Sequence, residues 1–63
     1  MIELDGVNDS FVDGEKYKHV KLKNCKRVTV ENAQTVDLID CECCTMINCD
    51  YVSQHNCDDI AEI

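Results

Sequence analysis

The sequence has no proline and no tryptophan, only two glycines, and only three aromatic residues, Phe11, Tyr17 and Tyr51. Two glycines, Gly6 and Gly14, leave no glycine-rich loop to cradle phosphate, and no nucleophile, histidine and acid form a catalytic constellation. No apolar run approaches the ~20 residues of a membrane-spanning helix, so no membrane association is expected. The opening Met1-Ile2-Glu3-Leu4-Asp5-Gly6 has neither the basic nor the apolar part of a signal peptide, so export is not expected. After Arg27 there is no Lys or Arg at all. The segment from Val28 to Ile63 carries eight acids: Glu31, Asp37, Asp40, Glu42, Asp50, Asp58, Asp59 and Glu62.

What is present is unevenly spread. All six basic residues, Lys16, Lys18, Lys21, Lys23, Lys26 and Arg27, fall in one window, and the net charge of −7 disfavours direct nucleic-acid binding. Six cysteines would suggest a disulfide framework in an exported chain. In a reducing interior they act instead as small buried apolar groups. A chain of 63 residues forms one domain at most and buries only ~60% of its unfolded surface. Chains of this size usually need a metal, disulfides or oligomerisation to be comfortably stable.

The chain repeats every eight residues. Octads starting at 4, 12, 20, 28, 36, 44 and 52, with a half-repeat from 60, place Leu4, Val12, Val20, Val28, Val36, Cys44, Val52 and Ile60 in the first column. Every Asn (Asn8, Asn24, Asn32, Asn48 and Asn56) falls in the fifth column, with Lys16 and Asp40. Columns one and three pair apolar residues two apart, as in Val20/Leu22, Val28/Val30 and Val36/Leu38. That spacing is one face of a strand but nearly opposite faces of a helix. The β-branched valines agree with strand. Asn or Asp two positions later marks a corner, because these side chains tolerate left-handed backbone, and stacked Asn can form an amide ladder. The small sixth column, with Cys25, Ala33, Cys41, Cys49 and Cys57, turns inward.

Each octad is therefore one short strand and one bend, and octads must stack to bury their apolar faces. The fold class is all-β, a β-helix or β-solenoid occupying residues 1–63. Two octads per layer give a flat monomeric solenoid of about four layers. Three per layer give a triangular prism, which three identical chains could share as an intertwined homotrimer. The trimer is preferred because it pools one core among small chains.

The octads Leu4-Asp5-Gly6 and Val12-Asp13-Gly14 resemble the Val-x-Gly repeat of the trimeric β-helix in the central spikes of contractile phage tails. The later pattern, best seen in Asn24-Cys25-Lys26-Arg27-Val28-Thr29-Val30, is similar to the coils of right-handed parallel β-helices, including those of phage tailspikes and fibres. The resemblance implies a structural role in a virion assembled in a host cytoplasm, with other virion or fibre proteins as partners. Spike tips of this class often carry His-x-His iron sites. With only His19 and His55, far apart, this sequence implies none.

Candidate site residues each carry two readings. Cys41, Cys43, Cys44 and Cys49 have the chemistry to hold zinc or an iron–sulfur cluster. However, Cys41, Cys49 and Cys57 fall where the repeat needs a small inward residue, and Cys44 fills a valine slot, so packing is the preferred role and no cofactor is expected. Cys43, in the outward eighth column, is the more reactive thiol. Lys16, Lys18, Lys21, Lys23, Lys26 and Arg27 form either a docking collar for an acidic or phosphate-bearing partner or a solvated flank balancing nearby acids. In the outward fourth column, Ile39 and Ile47 would occupy successive layers with Tyr51 beside them, as an apolar interface strip or as scattered surface residues. The expected function is non-catalytic: a structural or attachment protein, such as a phage-like spike, fibre or decoration. The alternative is a monomeric acidic solenoid that sequesters a basic host protein or mimics DNA.

Overall fold

A computed structural model describes all 63 residues, Met1 to Ile63. The chain forms eight short strands, β1 (Ile2–Asp5), β2 (Phe11–Asp13), β3 (His19–Lys23), β4 (Thr29–Glu31), β5 (Thr35–Ile39), β6 (Thr45–Ile47), β7 (Tyr51–His55) and β8 (Ala61–Glu62). One turn of helix, α1 (Gly14–Tyr17), lies between β2 and β3. The odd strands form one parallel sheet in the order β1-β3-β5-β7, and the even strands a second in the order β2-β4-β6-β8. A third ladder of single bridges runs through Asn8, Lys26, Glu42 and Asp58. The result is a β-solenoid of about four coils, each giving one strand to either sheet, with a sixteen-residue offset between paired strands from β3 onward.

The columns explain the winding. Along the odd sheet Val20 lies over Val36 and Val52, and Leu22 over Leu38; in the even sheet Val30 lies over Met46. Except for Val52, which is half-buried and packs against the others, these residues form one continuous core with Val12, Cys25, Val28, Ala33, Cys41 and Cys44, and it contains no buried polar side chain. The chain can turn so sharply because the corner residues accept left-handed backbone. Asn24, Asp40 and Asn56 do so on one ridge, and Asn32 and Asn48 on another, all at φ between 53° and 61°. Their side chains bond up the stack: Asn48 Nδ2 donates to Asn32 Oδ1 at 2.8 Å, and Asn56 Nδ2 to Asp40 Oδ1 at 2.7 Å. Replacing Asn48 with Ala removes both the amide bond and the tolerance of positive φ. The expected cost is about 1–2 kcal/mol in urea unfolding. A change within error would show that the ladder is ornamental.

The first coil departs from the expected register. Strand pairs below it are offset by sixteen residues, as His19 opposite Thr35, but β1 and β2 are offset from β3 and β4 by eighteen, as Ile2 opposite Val20 and Phe11 opposite Thr29. The two extra residues are taken up by α1, capped by the Asp13 carboxylate, which accepts from Glu15 N at 3.1 Å. The octads placed at 4 and 12 therefore begin at 2 and 10. Leu4 and Val12 belong to the third column, lying over Leu22 and Val30, and Val7 is half-buried in the small-residue column above Cys25. Asn8 leaves the corner for the bridge ladder, and Gly6, at φ 71°, takes the corner that Asn24 holds below. Lys16 is inside α1 rather than at a corner. The glycines of the two Val-x-Gly-like octads thus lie at a corner and at the start of a helical turn, not within a strand.

Candidate functional site

The basic window maps onto two coils. Lys21 and Lys23 project from the odd sheet, Lys26 and Arg27 from the bridge side, and Lys16 and Lys18 from α1 and its end. Half of this belt is neutralised by adjacent coils. Lys21 Nζ lies 3.5 Å from Glu3, Lys26 Nζ 4.0 Å from Glu42, and Arg27 grips Asp9 through two nitrogens. The Arg27 hydrogen bond holds the Asp9 carboxyl below its ordinary range. That stabilisation is complete above the usual carboxylate pKa and is lost as pH falls through the lowered value. Both side chains are more than half exposed, so the pair tethers the first coil to the second without dominating stability. Lys16 lies over the Tyr17 ring at 5.5 Å, and Lys18 and Lys23 make no ion pair. Lys18 also borders a shallow polar depression with Glu15, Asn32, Gln34, Asn48 and Asp50.

The apolar strip is not assembled. Ile39 ends β5 in the odd sheet, between Lys23 and His55, whereas Ile47 ends β6 in the even sheet, below Glu31. With two octads per coil, consecutive octads lie on opposite sheets, so residues eight apart cannot be neighbours in one column. Tyr51 is 72% exposed and shares the odd sheet with Ile39, where it lies below Thr35.

The cysteines separate in the same way. Cys25, Cys41 and Cys57 occupy one inner corner in successive coils, and each thiol donates to two backbone carbonyls; for Cys41 these are Leu22 O at 3.4 Å and Ile39 O at 3.3 Å. Cys44 is buried beside them, donating to Glu42 O at 3.4 Å, while Cys49 sits in the opposite corner with bonds to Val30 O and Ile47 O. Cys43 points outward at a third left-handed ridge shared with Asp9, Arg27 and Asp59. Cys41, Cys43, Cys44 and Cys49 therefore do not converge, and no three potential metal ligands cluster anywhere in the chain. Burial pushes the Cys41 and Cys44 thiols up, away from the reactive thiolate. Iodoacetamide at neutral pH should alkylate Cys43 first. Cys25, Cys41 and Cys44 should react roughly a hundredfold or more slowly, since they need the coil to open. Peptide mass mapping over time checks the order, and equal rates would contradict the inward corner.

The sequence did not single out the first coil. There a depression of about 510 Å³ is lined by half-buried Ile2, Leu4 and Val7 together with Phe11, Asp13 and Lys16. No protein-family model matches the chain, and no curated protein or solved structure matches it.

Proposed function

We propose that the chain is a non-catalytic structural and attachment module of the spike, fibre or decoration kind found on virions, with other virion or fibre proteins as its partners. The observation that carries this reading is the commitment of the repeat to building a stack. Columns one, three and six make the core, column five turns the chain, and flat outward columns without long loops are left for contact. A stack of parallel rungs is stiff and resists fraying along its sides. Homotrimeric assembly belongs to this reading. A coil closed within one chain favours three complete solenoids bundled side by side over a single shared prism. The even sheet supports such a bundle, since it turns Phe11, Thr29, Thr45, Ile47 and Ala61 outward with only Asp13 and Glu31 as charges.

A second reading is a monomeric acidic module that sequesters a basic protein or mimics DNA. It is favoured by the third and fourth coils, where Asp37, Asp40, Glu42, Asp50, Asp58, Asp59 and Glu62 face no Lys or Arg of their own coils. Sedimentation equilibrium over a wide concentration range separates the two. A species of three 7.2 kDa chains supports the bundled attachment module, and an unchanging 7.2 kDa species overturns it in favour of the monomeric binder.

A further inference from the structure

On the bridge side of the solenoid two outward columns run along the stack. One holds Asn8, Lys26, Glu42 and Asp58, joined rung to rung by single parallel bridges. The other is the left-handed ridge of Asp9, Arg27, Cys43 and Asp59, whose four residues share φ between 53° and 55°. One backbone conformation repeated in every coil aims these exposed side chains alike, about 4.8 Å apart along the stack. Charge is therefore sorted by coil. The second coil presents Lys26 and Arg27, the third Glu42 and Cys43, and the fourth Asp58 and Asp59.

The basic pair has bonding capacity to spare. Arg27 bonds Asp9 through Nε and Nη2, which leaves Nη1 without a partner, and Lys26 lies 4.0 Å from Glu42, at the outer limit of an ion pair. Asp58 and Asp59 meet no Lys or Arg anywhere in the chain. Within one chain the third coil keeps the second and fourth apart. Two chains can bring them together.

The ways of setting two copies ridge to ridge differ in the charges they oppose. With both stacks running the same way, Lys26 and Arg27 face basic residues, and Asp58 and Asp59 face acids. With one stack reversed, a two-fold axis half a coil above the third coil opposes Asp9 to Asp59 of the other copy, and half a coil below opposes Glu42 to Asp58. With the axis through the third coil, Lys26 meets Asp58 and Arg27 meets Asp59, each twice by symmetry. Only Glu42 then meets its own kind, and Lys26 of its own chain lies beside it. Cys43 falls on the axis, opposite its equivalent. A ridge contact is small and leaves its charges partly hydrated, so the association is weak and salt-sensitive.

We propose that the bridge side pairs two copies of the chain with their stacks antiparallel, about a two-fold axis through Cys43. The pairing goes beyond the attachment reading and leaves the even sheet free for the lateral bundle. Sedimentation in high salt with a reductant removes the pairing and reads the bundle alone, so the two stand or fall separately.

Cys43 reports the pairing. In low salt, oxidised glutathione should link Cys43 to Cys43, two thiols giving one disulfide as the reagent becomes two glutathione thiols. The product is a species of two 7.2 kDa chains, and peptide mapping locates the bridge. Raising salt from about 20 mM to about 500 mM should slow the linkage roughly tenfold. Lys26→Glu with Arg27→Glu, and separately Asp58→Lys with Asp59→Lys, should each slow it as much. An equimolar mixture of the two variants should link them to each other at close to the parent's rate, because each reversed pair then meets its complement. Linkage indifferent to salt and to both variants overturns the proposal, as does a mixture no faster than its components. Where a variant fails to fold, the unaltered chain under reducing conditions decides. Its amide shifts should move with protein concentration at Lys26, Arg27, Glu42, Cys43, Asp58 and Asp59, and a spectrum independent of concentration, or changing only elsewhere, overturns the pairing.

Discussion

Replacing Val36 with Asp abolishes the folded state. Val36 is 1% exposed and lies between Val20 and Val52 in the rungs above and below it. The core around it has no buried polar group that could bond a carboxylate. A lone buried carboxyl costs several kcal/mol even when it takes up a proton. A chain of this length has a total stability of only about 3–9 kcal/mol. The circular-dichroism spectrum should lose its strand signal in buffer, and Val28→Asp should do the same. Asp37→Ser, one residue along on the outward face and in the column that already holds Ser53, should stay within about 0.5 kcal/mol of the parent. A folded Val36→Asp would contradict the inward assignment of the first column.

The second large effect is at Gly14. A methyl group there would sit 2.5 Å from the Cα, Cβ and N of Ala33 together. Two of these atoms are backbone, so the overlap is relieved only by shifting α1 or the coil beneath it. Gly14→Ala should lower stability by about 1–3 kcal/mol. Adding Ala33→Gly should recover only part of the loss, since the Cα and N remain. Gly6→Ala is a useful contrast. Nothing lies within 4 Å of the new methyl group, but φ is 71°, so the cost is backbone strain of about 1 kcal/mol. Urea midpoints rank the three. A neutral Gly14→Ala would mean that α1 does not rest on Ala33.

From Val20 onward the architecture was legible, because three columns agree at once. Val20, Leu22 and Cys25, then Val28, Val30 and Ala33, fill the inward positions, while Asn24 and Asn32 mark the corners. Above Val20 only one column was matched, and Leu4 and Val12 fit the first column as well as the third. A start at Ile2 puts Ile2, Leu4, Val7 and Val12 inside together, and the two-residue slip before Val20 then reveals the inserted turn. The number of octads per coil was written in column eight. Arg27, Cys43 and Asp59 take left-handed backbone, whereas His19, Thr35 and Tyr51 begin or occupy strands, so the two kinds of octad alternate. That alternation is a period of sixteen, hidden by the stronger period of eight in the valines and asparagines.

The candidate sites were less legible, for a geometric reason. Ile39 and Ile47 are neighbours only if residues eight apart occupy successive layers of one face. In this winding they lie in opposite sheets. The basic window was visible as a run of residues. Its pairing was not, since Lys21 meets Glu3 and Arg27 meets Asp9 only through the eighteen-residue offset of the first coil.

The most direct check on the winding is a set of nuclear Overhauser contacts measured on a mixture of differently isotope-labelled chains, which distinguishes contacts within a chain from contacts between chains. A solenoid closed by one chain requires intrachain contacts sixteen residues apart, Val20 to Val36 and Val36 to Val52, and eighteen apart in the first coil, Ile2 to Val20. Contacts eight residues apart between different chains, such as Val28 to Val36, would instead reveal a prism to which three chains each contribute one side per layer, and would contradict it.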